Sequence, residues 1–323
     1  MARKDYEEIK ETFQKFVQAW KTRDTDLLGE CFVKEAACNL STVAKYPCGG
    51  QHGIYGIRDF VMEVPSPDFF YSQVCNFVAR INKDRAYQTA TVVCLTGVHE
   101  EDQVRTMEFS ALFANGWVRC EEGWRISEMR MDITEYVGDY QEFIDKWYFE
   151  KPELKYYFGI HLPCVSGETD NPWFRIPEEE DVKSDEEKIL ETFSRYAYGI
   201  DTLNFDLLPE ALSDDLVVNM APWGAMDKRE FMATLKFKRM AARYWNHPAR
   251  LEDVSVEGDK AFLRLHRMAG HKQSDHPVIL TKENVDRVHA CARYEIIMKK
   301  ENDCWRIARM DYFLGTIDLE KQS

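Results

Sequence analysis

A histidine stands directly before an alternating apolar pattern in the second half of the sequence. In the stretch WNHPARLEDVSVEGDKA, residues 245–261, His247 precedes a predicted strand and a Glu-Gly-Asp turn. A histidine at such a position can pack structurally, bind a metal or act as a base, because its imidazole both donates and accepts protons. The residue type leaves these three roles open, so the choice depends on the elements that position it.

Cysteines and further histidines are the other residues whose chemistry needs an assignment. An odd number of cysteines without a CxxC pair argues against a disulfide framework or a structural zinc site and fits the reduced thiols of a cytoplasmic protein. A catalytic cysteine stays open, although a small buried side chain is the expected role. His266, His271 and His276 suggest a metal cluster, but their spacing around Pro277 favours a solvated loop, and no metal is expected. The nine cysteines are at positions 31, 38, 48, 75, 94, 120, 164, 291 and 304.

Composition excludes several classes of partner. The chain has 323 residues, a length typical of about two domains, and 45% of them are apolar. The net charge of −14 argues against a nucleic-acid or anionic membrane surface, since such surfaces need clustered Lys and Arg. The charged N-terminal stretch has no apolar signal region, and no apolar run is long enough to span a membrane. We therefore expect a cytoplasmic protein without nucleic-acid or membrane partners.

An internal repeat sets the domain organisation. IKETFQKFVQAWKTRDTDLLGECF begins at Ile9 and ILETFSRYAYGIDTLNFDLLPEAL at Ile189, an offset of 180, and Trp-Arg-Ile recurs at 124 and 305. The features follow the same order in both halves, which indicates duplication of a whole domain of roughly 130 residues. We predict domains at 1–137 and 184–323. An aromatic-rich joining segment, 138–183, is predicted to form a helix near 139–150 and then an extended, packed stretch.

Each repeat has the same predicted elements. A long amphipathic helix opens it, a short helix and a third helix follow, and three or four strands come last. Helices before strands favour an α+β fold with an antiparallel sheet and the helices packed on one face. A curved sheet closed by helices leaves a cone-shaped cavity, where small molecules usually bind. The expected fold is thus two tandem cone-shaped α+β barrels with about three N-terminal helices each.

Three stretches resemble the nuclear-transport-factor-2-like superfamily, in particular its SnoaL-like branch. They are GIDTLNFDLLPEAL, WNHPARLEDVSVEGDKA and ARYEIIMKKENDCWRIARM. This branch includes polyketide cyclases, scytalone dehydratase, a bile-acid 7α-dehydratase and a hexachlorocyclohexane dehydrochlorinase. The resemblance covers most of both repeats but not the joining segment. It implies the cystatin-like cone fold and says little about the substrate, because this fold hosts many functions.

The resemblance also implies site residues. In the dehydratase-like members, an aspartate near the end of the first helix pairs with a histidine that opens the first long strand, and these match Asp201 and His247. By the same comparison Tyr196 and Arg309 match a tyrosine and an arginine that would assist as electrophiles. His289 and Arg293 share one face of the strand 288–298 and are reserve candidates for substrate binding.

A histidine paired with an aspartate is suited to removing a proton next to a carbonyl group. The carboxylate fixes the imidazole tautomer and favours its protonated form, which makes the second nitrogen a base near neutral pH. We predict a cofactor-independent, dehydratase-like lyase or isomerase acting on a small, apolar, cyclic molecule such as a steroid or polyketide. The alternative is a non-catalytic binding or assembly module of the same fold. A partner subunit of a ring-hydroxylating dioxygenase is a third, less favoured interpretation.

None of the four positions of Tyr196, Asp201, His247 and Arg309 keeps its residue type in the first repeat. We therefore predict that the second domain carries any chemistry and that the first is a structural partner. The two halves are expected to form an intrachain pseudo-dimer, and further homo-oligomerisation stays open. The residues of the first repeat that align with Tyr196, Asp201, His247 and Arg309 are Phe16, Lys21, Ser72 and Glu128.

Overall fold

The computed structural model shows two compact units, Met1–Val182 and Lys183–Ser323. Most of the predicted joining segment that is described therefore belongs to the first unit. No helix in the described part of the chain is long and apolar enough to cross a membrane. The structure describes residues 2–40, 51–52, 55–62, 64–101, 103–145, 147, 164–179, 183–220, 223–241, 246–268 and 279–319.

In both units the longer helices precede the four long strands. The helices are α1 Ala2–Thr22, α2 Thr25–Gly29, α3 Tyr55–Met62, α4 Pro172–Arg175, α5 Asp185–Asp201, α6 Leu208–Ala211 and α7 Lys228–Ala241. The strands of the first unit are β1 Phe32–Leu40, β2 Gln51–His52, β3 Phe69–Asn82, β4 Arg85–His99, β5 Val104–Cys120 and β6 Gly123–Gly138. Those of the second are β7 Leu212–Met220, β8 Gly224–Asp227, β9 Ala249–Glu257, β10 Lys260–Arg267, β11 Val288–Glu301 and β12 Cys304–Leu319.

Each unit has one six-stranded mixed sheet. The strand orders are β2-β1-β6-β5-β4-β3 and β8-β7-β12-β11-β10-β9. The four long strands of each sheet are antiparallel, as predicted, but β1 and β7 pair in parallel with the last strand of their unit. The arrangement matches two tandem cone-shaped α+β domains, and among the described residues neither sheet closes into a barrel.

The sequence did not predict the parallel strands, because their apolar pattern is weak. In β7, Leu216 and Val218 are buried while Val217 between them is 45% exposed, so the alternation is hidden by three consecutive apolar residues. No residue separates the end of α6 at Ala211 from the start of β7 at Leu212. In the second unit, β7 follows α5 and α6 and pairs with β12, the last strand in the chain.

Local sequence explains where α5 begins and ends. Ser184 accepts a hydrogen bond from the amide of Glu187, whose carboxylate accepts one from the amide of Ser184, which closes a capping box. The helix buries its predicted apolar stripe, including Phe193 and Tyr196, and its last residue is Asp201. Leu203 then adopts a left-handed conformation with φ 62°, which stops the helix. Asp201 is thereby fixed at a helix end rather than on a mobile loop.

The two units share their strand register. Val92 pairs with Ala111 as Arg267 pairs with Ala292, and Phe113 pairs with Met131 as Tyr294 pairs with Tyr312. At the start of the first long strand, Val74 pairs with Val92 as Ala249 pairs with Arg267. The offsets are 175 residues for β9–β10 and 181 for β11–β12. Extended by two residues beyond Ala249, the offset of 175 places Ser72 at the position of His247.

Aromatic rings fill the interior of the first unit near one end of its sheet. Trp147 stacks on Phe60 at 5.4 Å between ring centroids and meets Phe109 edge-on at 5.1 Å, and Phe143 stacks on Phe109 at 5.9 Å. The prediction of a helix over 139–150 is wrong in the described part of that range, where a single 3-10 turn, Gln141–Phe143, forms. Burying these rings stabilises the irregular segment, because aromatic side chains remove a large apolar area from water.

Residues 164–179 pack on the first unit's sheet. The amides of Cys164 and Val165 donate to the carboxylate of Asp132, at 2.7 and 3.0 Å. The guanidinium of Arg175 lies over the ring of Tyr87 at 5.0 Å. This part of the predicted joining segment is thus held by charge-assisted and cation–π contacts.

Candidate active site

Asp201 and His247 meet inside the second unit. Nδ1 of His247 lies 2.5 Å from Oδ1 of Asp201, and the backbone amide of His247 donates to Oδ2 at 2.9 Å. Their side chains are 6% and 7% exposed. Because a carboxylate only accepts hydrogen bonds, Nδ1 carries the hydrogen and Nε2 is left with its lone pair. The pair has the geometry of an oriented general base.

The peptide group between Asn246 and His247 is held from both ends. Its N–H donates to Asp201, while its carbonyl accepts two bonds from the guanidinium of Arg267, one of them from Nε at 2.7 Å. Arg267 ends β10, is 4% exposed and also donates from Nη1 to the hydroxyl of Tyr312 at 3.1 Å. The backbone that carries the histidine is therefore fixed by two charge-assisted contacts of opposite sign.

A second buried arginine lies at the end of α5. Arg239 on α7 is 1% exposed, and its Nε donates to the carbonyl of Ile200 at 3.1 Å. The last carbonyls of a helix lack intrahelical partners and carry partial negative charge, so a cation is favoured there. Burial lowers the pKa of Arg239 to about 10, with Asp201 opposing and Arg267 reinforcing that shift. Arg239 therefore stays charged at neutral pH and stabilises the helix end that carries Asp201.

Two buried tyrosines complete the group. The ring of Tyr196 meets the imidazole of His247 edge-on at 6.4 Å between centroids, and Tyr294 lies 4.9 Å from the ring of Tyr312. Tyr196 and Tyr294 are each 1% exposed. Burial raises the pKa of both phenols, so both remain protonated and able to donate.

The pKa of His247 departs from the value that the sequence predicted. Burial lowers the pKa of His247 to about 4. Asp201 raises it and the cations Arg267 and Arg239 lower it. The expectation of a base titrating near neutral pH is therefore wrong, since the opposing effect of one carboxylate is outweighed by burial and two guanidiniums. The imidazole is neutral at pH 7 and remains competent as a proton acceptor.

Three predicted helpers lie on the opposite face of the sheet. The guanidinium of Arg309 is 53% exposed and pairs with Asp311 at 2.8 Å. That of Arg293 is 39% exposed and pairs with Glu295 at 3.2 Å. His289 lies beside Asp318 at 3.9 Å. The residues of β11 and β12 that face the interior include Tyr294, Met310 and Tyr312, so the assignments of Arg309, His289 and Arg293 to this site are corrected.

The alternative sites receive no support from the described residues. Within them, no group of three or more His, Cys, Asp and Glu could hold a metal. His266 lies 2.6 Å from Glu252, while His271 and His276 fall outside the described residues. No disulfide joins the eight cysteines that the structure describes. Burial raises the pKa of Cys31 to about 11 and that of Cys38 to about 12, which disfavours a reactive thiolate.

A family model decides the relationship of the chain to known proteins. The SnoaL-like domain model matches residues 1–130 and again residues 182–311. The chain belongs to the SnoaL-like domain family. The resemblance predicted from the three sequence stretches is confirmed for both repeats. Comparison with curated proteins gave no match.

Comparison with solved structures gave matches to part of the chain. Hexachlorocyclohexane dehydrochlorinase LinA-type3 from Novosphingobium barchaimii LL02 is 17% identical, with 42% of this chain and 89% of that chain covered and a TM-score of 0.35. The Kfla4162 protein from Kribbella flavida is 20% identical, with 42% and 95% covered and a TM-score of 0.36. Each match covers less than half of this chain.

The first SnoaL-like unit serves as an internal reference for the site. Its sheet has the same register, yet apolar residues stand where the second unit has buried polar ones. The fold therefore does not require these polar side chains, which are costly to bury. The positions of Tyr196, Arg267, Tyr294 and Tyr312 correspond to Phe16, Val92, Phe113 and Met131.

The sequence contained a signal for the residues that were missed. In KAFLRLHRM, Arg267 falls on the same alternating face as Leu263 and Leu265, both buried. On α7, Arg239 falls eight residues after Phe231, on the helix face that packs inward. A charged residue within an apolar stripe is the informative exception, and both arginines meet that description.

The lowered pKa of His247 predicts an acid-sensitive second unit. The unfolded state binds a proton near pH 6.5 and the folded state only near pH 4, so stability present above pH 6.5 is lost as pH falls through that window. The loss approaches about 3 kcal/mol in the free energy of unfolding. Urea unfolding from pH 7 to 4 measures it, with His247→Gln as the reference, which should be less acid-sensitive by that amount. Equal pH dependence of the two proteins would contradict the assignment.

Proposed function

We propose that the second SnoaL-like unit is a cofactor-independent, dehydratase-like lyase or isomerase acting on a small cyclic molecule. The observation that carries the proposal is the 2.5 Å contact between Asp201 and Nδ1 of His247, which leaves Nε2 of a neutral imidazole as the base. The first unit has Lys21 and Ser72 at these positions and is proposed to be non-catalytic.

The reaction follows from the groups around the base. Nε2 of His247 removes a proton from the carbon next to a carbonyl, and the C–H electrons form an enolate. The enolate expels hydroxide from the neighbouring carbon as the double bond forms, and the proton on His247 converts the hydroxide to water. In an isomerisation, the same proton would return to a different carbon of the substrate instead.

Stabilisation of the enolate oxygen compensates for the weak basicity of His247. A base with a pKa near 4 removes a carbon-bound proton only if the developing negative charge is well stabilised. The protonated hydroxyls of Tyr196 and Tyr294 and the cation Arg267 are buried donors in this region. Such donors act strongly where water is excluded, so a buried oxyanion site is consistent with a base of low pKa.

The apolar surroundings support a cyclic, mainly hydrophobic substrate. Tyr196 stacks on Phe231 and contacts Phe193, and Leu265 packs in the same core. A ring-shaped molecule would bury apolar area against these side chains while presenting its carbonyl to the tyrosines. Steroids and polyketide-like ketones have this combination of an apolar ring and a carbonyl.

A dehydration screen tests the proposal. The full-length protein would be incubated with cyclic β-hydroxy ketones of one to four rings, and the conjugated ketone product followed by ultraviolet absorption and NMR. We expect at least one compound to lose water faster with protein than in buffer. Saturable binding of these ketones without conversion to product would instead identify a binding module.

A further inference from the structure

An aromatic and basic surface lies on the outer side of α7. Phe237 is 74% exposed, and Trp223, which directly precedes β8, is 42% exposed. Nζ of Lys238 lies 4.9 Å from the ring centroid of Trp223, and Nζ of Lys236 lies 5.8 Å from that of Phe205. We name this surface the α7 patch; it comprises Leu203, Phe205, Trp223, Lys236, Phe237 and Lys238.

The helical period explains why Phe237 points to solvent. Successive residues of a helix are about 100° apart around its axis. Phe237 therefore lies on the side of α7 opposite to Phe231 and Arg239, which are both buried. Lys236 and Lys238 flank Phe237 on its two sides. The second unit thus presents an aromatic ridge with a cation on either side of it.

The α7 patch is basic although the whole chain is acidic. The net charge of the chain is −14, whereas α7 carries five basic residues and one acidic residue, Glu230. Glu230 caps the start of its own helix, where its carboxylate accepts a hydrogen bond from the amide of Asp227 at 3.1 Å. Among the described residues, Lys236 and Lys238 contact aromatic rings and no carboxylate. Both ammonium groups can therefore pair with an acidic partner.

Charge decides which kind of partner fits the α7 patch. A second copy of the chain, paired through the same patch, would bring like charges together. An anionic membrane would face a broad side of a chain with a net charge of −14 and would be repelled by it. A short acidic segment of another protein contacts the patch alone and meets its positive charge.

We propose that the α7 patch binds an acidic amphipathic helix of a partner protein. The apolar stripe of that helix would cover Phe237 and Trp223, and glutamates beside the stripe would pair with Lys236 and Lys238. An apolar seam flanked by opposite charges pairs helices in the same way in coiled coils. Binding of the helix does not depend on any catalysis at His247, and the proposal goes beyond the proposed function.

A designed peptide tests the proposal. The probe is a fluorescein-labelled amphipathic helix with a stripe of Leu and Phe and with Glu at its other positions, titrated into the full-length protein by fluorescence anisotropy. The comparison peptide has Lys in place of every Glu. We expect the Glu peptide to bind at least about tenfold more tightly, with an affinity that falls as the salt concentration rises. No binding of the Glu peptide, or equal binding of the two peptides, would overturn the proposal.

Variants of the α7 patch locate the binding. The double variant Lys236→Glu, Lys238→Glu should weaken binding of the Glu peptide about tenfold or more, since two attractive pairs become repulsive. Phe237→Ser should weaken it about tenfold, because an aromatic ring that would be covered on binding is removed. These side chains lie at the surface, so all variants are expected to fold, which circular dichroism verifies.

Matched controls exclude a general attraction to the protein. Lys260→Glu changes an exposed lysine of β10, and Ile297→Ser changes an apolar residue of β11 that is 43% exposed. Both should keep the affinity for the Glu peptide within about twofold of wild type, as expected for sites remote from the contact. Equal losses in the control and patch variants would refute the assignment of the patch.

Two further measurements address the other kinds of partner. Light scattering would compare the mass of wild type with that of Phe237→Ser, and a dimer that became a monomer would assign the patch to a second copy. Sedimentation with phosphatidylcholine vesicles containing phosphatidylglycerol would detect membrane binding. Vesicle binding that is lost in Phe237→Ser, without binding of the Glu peptide, would assign the patch to a membrane. We expect neither result, and either one would overturn the proposal.

Discussion

Replacing His247 with glutamine is expected to lower kcat by about 10²- to 10⁴-fold on any compound that the protein dehydrates, the usual contribution of a general base. A glutamine amide can still donate to Oδ1 of Asp201, but it offers no basic nitrogen in place of Nε2. Binding should change much less than turnover, because apolar contacts and the buried arginines remain. Initial rates over a range of substrate concentration separate kcat from KM and measure the effect directly.

Two control variants make this result specific. Ser72→Ala changes the residue of the first unit that occupies the position of His247, and Arg309→Gln changes the predicted helper that lies on the outer face. Both should keep kcat within about twofold of wild type, the range expected for residues remote from the reacting atoms. Activity that persists in His247→Gln, or that is lost in Ser72→Ala, would contradict the proposed division of labour between the units.

The position of Arg309 shows where sequence periodicity fails. Trp305 and Ile307 face the core, and simple alternation would place Arg309 beside them. A β-bulge between Ile307 and Arg309 adds one residue to β12, so Met310 faces inward and Arg309 faces solvent. A bulge leaves no clear trace in the apolar pattern of a single strand, and a one-residue shift exchanges the two faces.

The contact between Asp201 and His247 could be predicted, because each residue lies at or near the boundary of a helix or a strand. Asp201 falls at a helix end and His247 at a strand start, and both positions follow from the repeat and the family resemblance. The remaining polar residues were harder to place, because β11 carries polar side chains on both faces. Arg293 and Tyr294 are adjacent candidates, and only the packing of Tyr294 against Phe193 and Tyr312 shows which face is interior.

The pKa of His247 was beyond sequence reasoning for a related reason. The resemblance supplied Asp201, which raises the pKa, but the opposing cations come from β10 and α7. Arg267 and Arg239 act on His247 because β10 and α7 pack near the end of α5. Tertiary packing, and not the spacing of residues in the sequence, determines that arrangement. The first unit illustrates the difference, since an equivalent strand carries Val92 where the second carries Arg267.

Replacing Asp201 with alanine is expected to destabilise the second unit by about 2–6 kcal/mol, because two buried donors of His247 would each lose a charged acceptor at about 1–3 kcal/mol apiece. The backbone amide and Nδ1 of His247 would both lose their acceptor. Arg239 would lose a carboxylate that favours its charged form. Urea unfolding measures the change, analysed as two transitions if the units unfold separately, with the second unit's transition moving to lower urea.

Asp201→Asn separates the contribution of charge from that of hydrogen bonding. Asparagine keeps one acceptor for the amide of His247 but not the negative charge, so its cost should be substantial and smaller than that of alanine. It should also lower the pKa of His247 further, because Asp201 is the group that raises it. Lys21→Ala, at the corresponding position of the first unit, should change stability by less than about 1 kcal/mol, as is usual for a partly exposed lysine. Should Asp201→Ala prove as mild as Lys21→Ala, the carboxylate would not be holding the backbone and the imidazole of His247 in place.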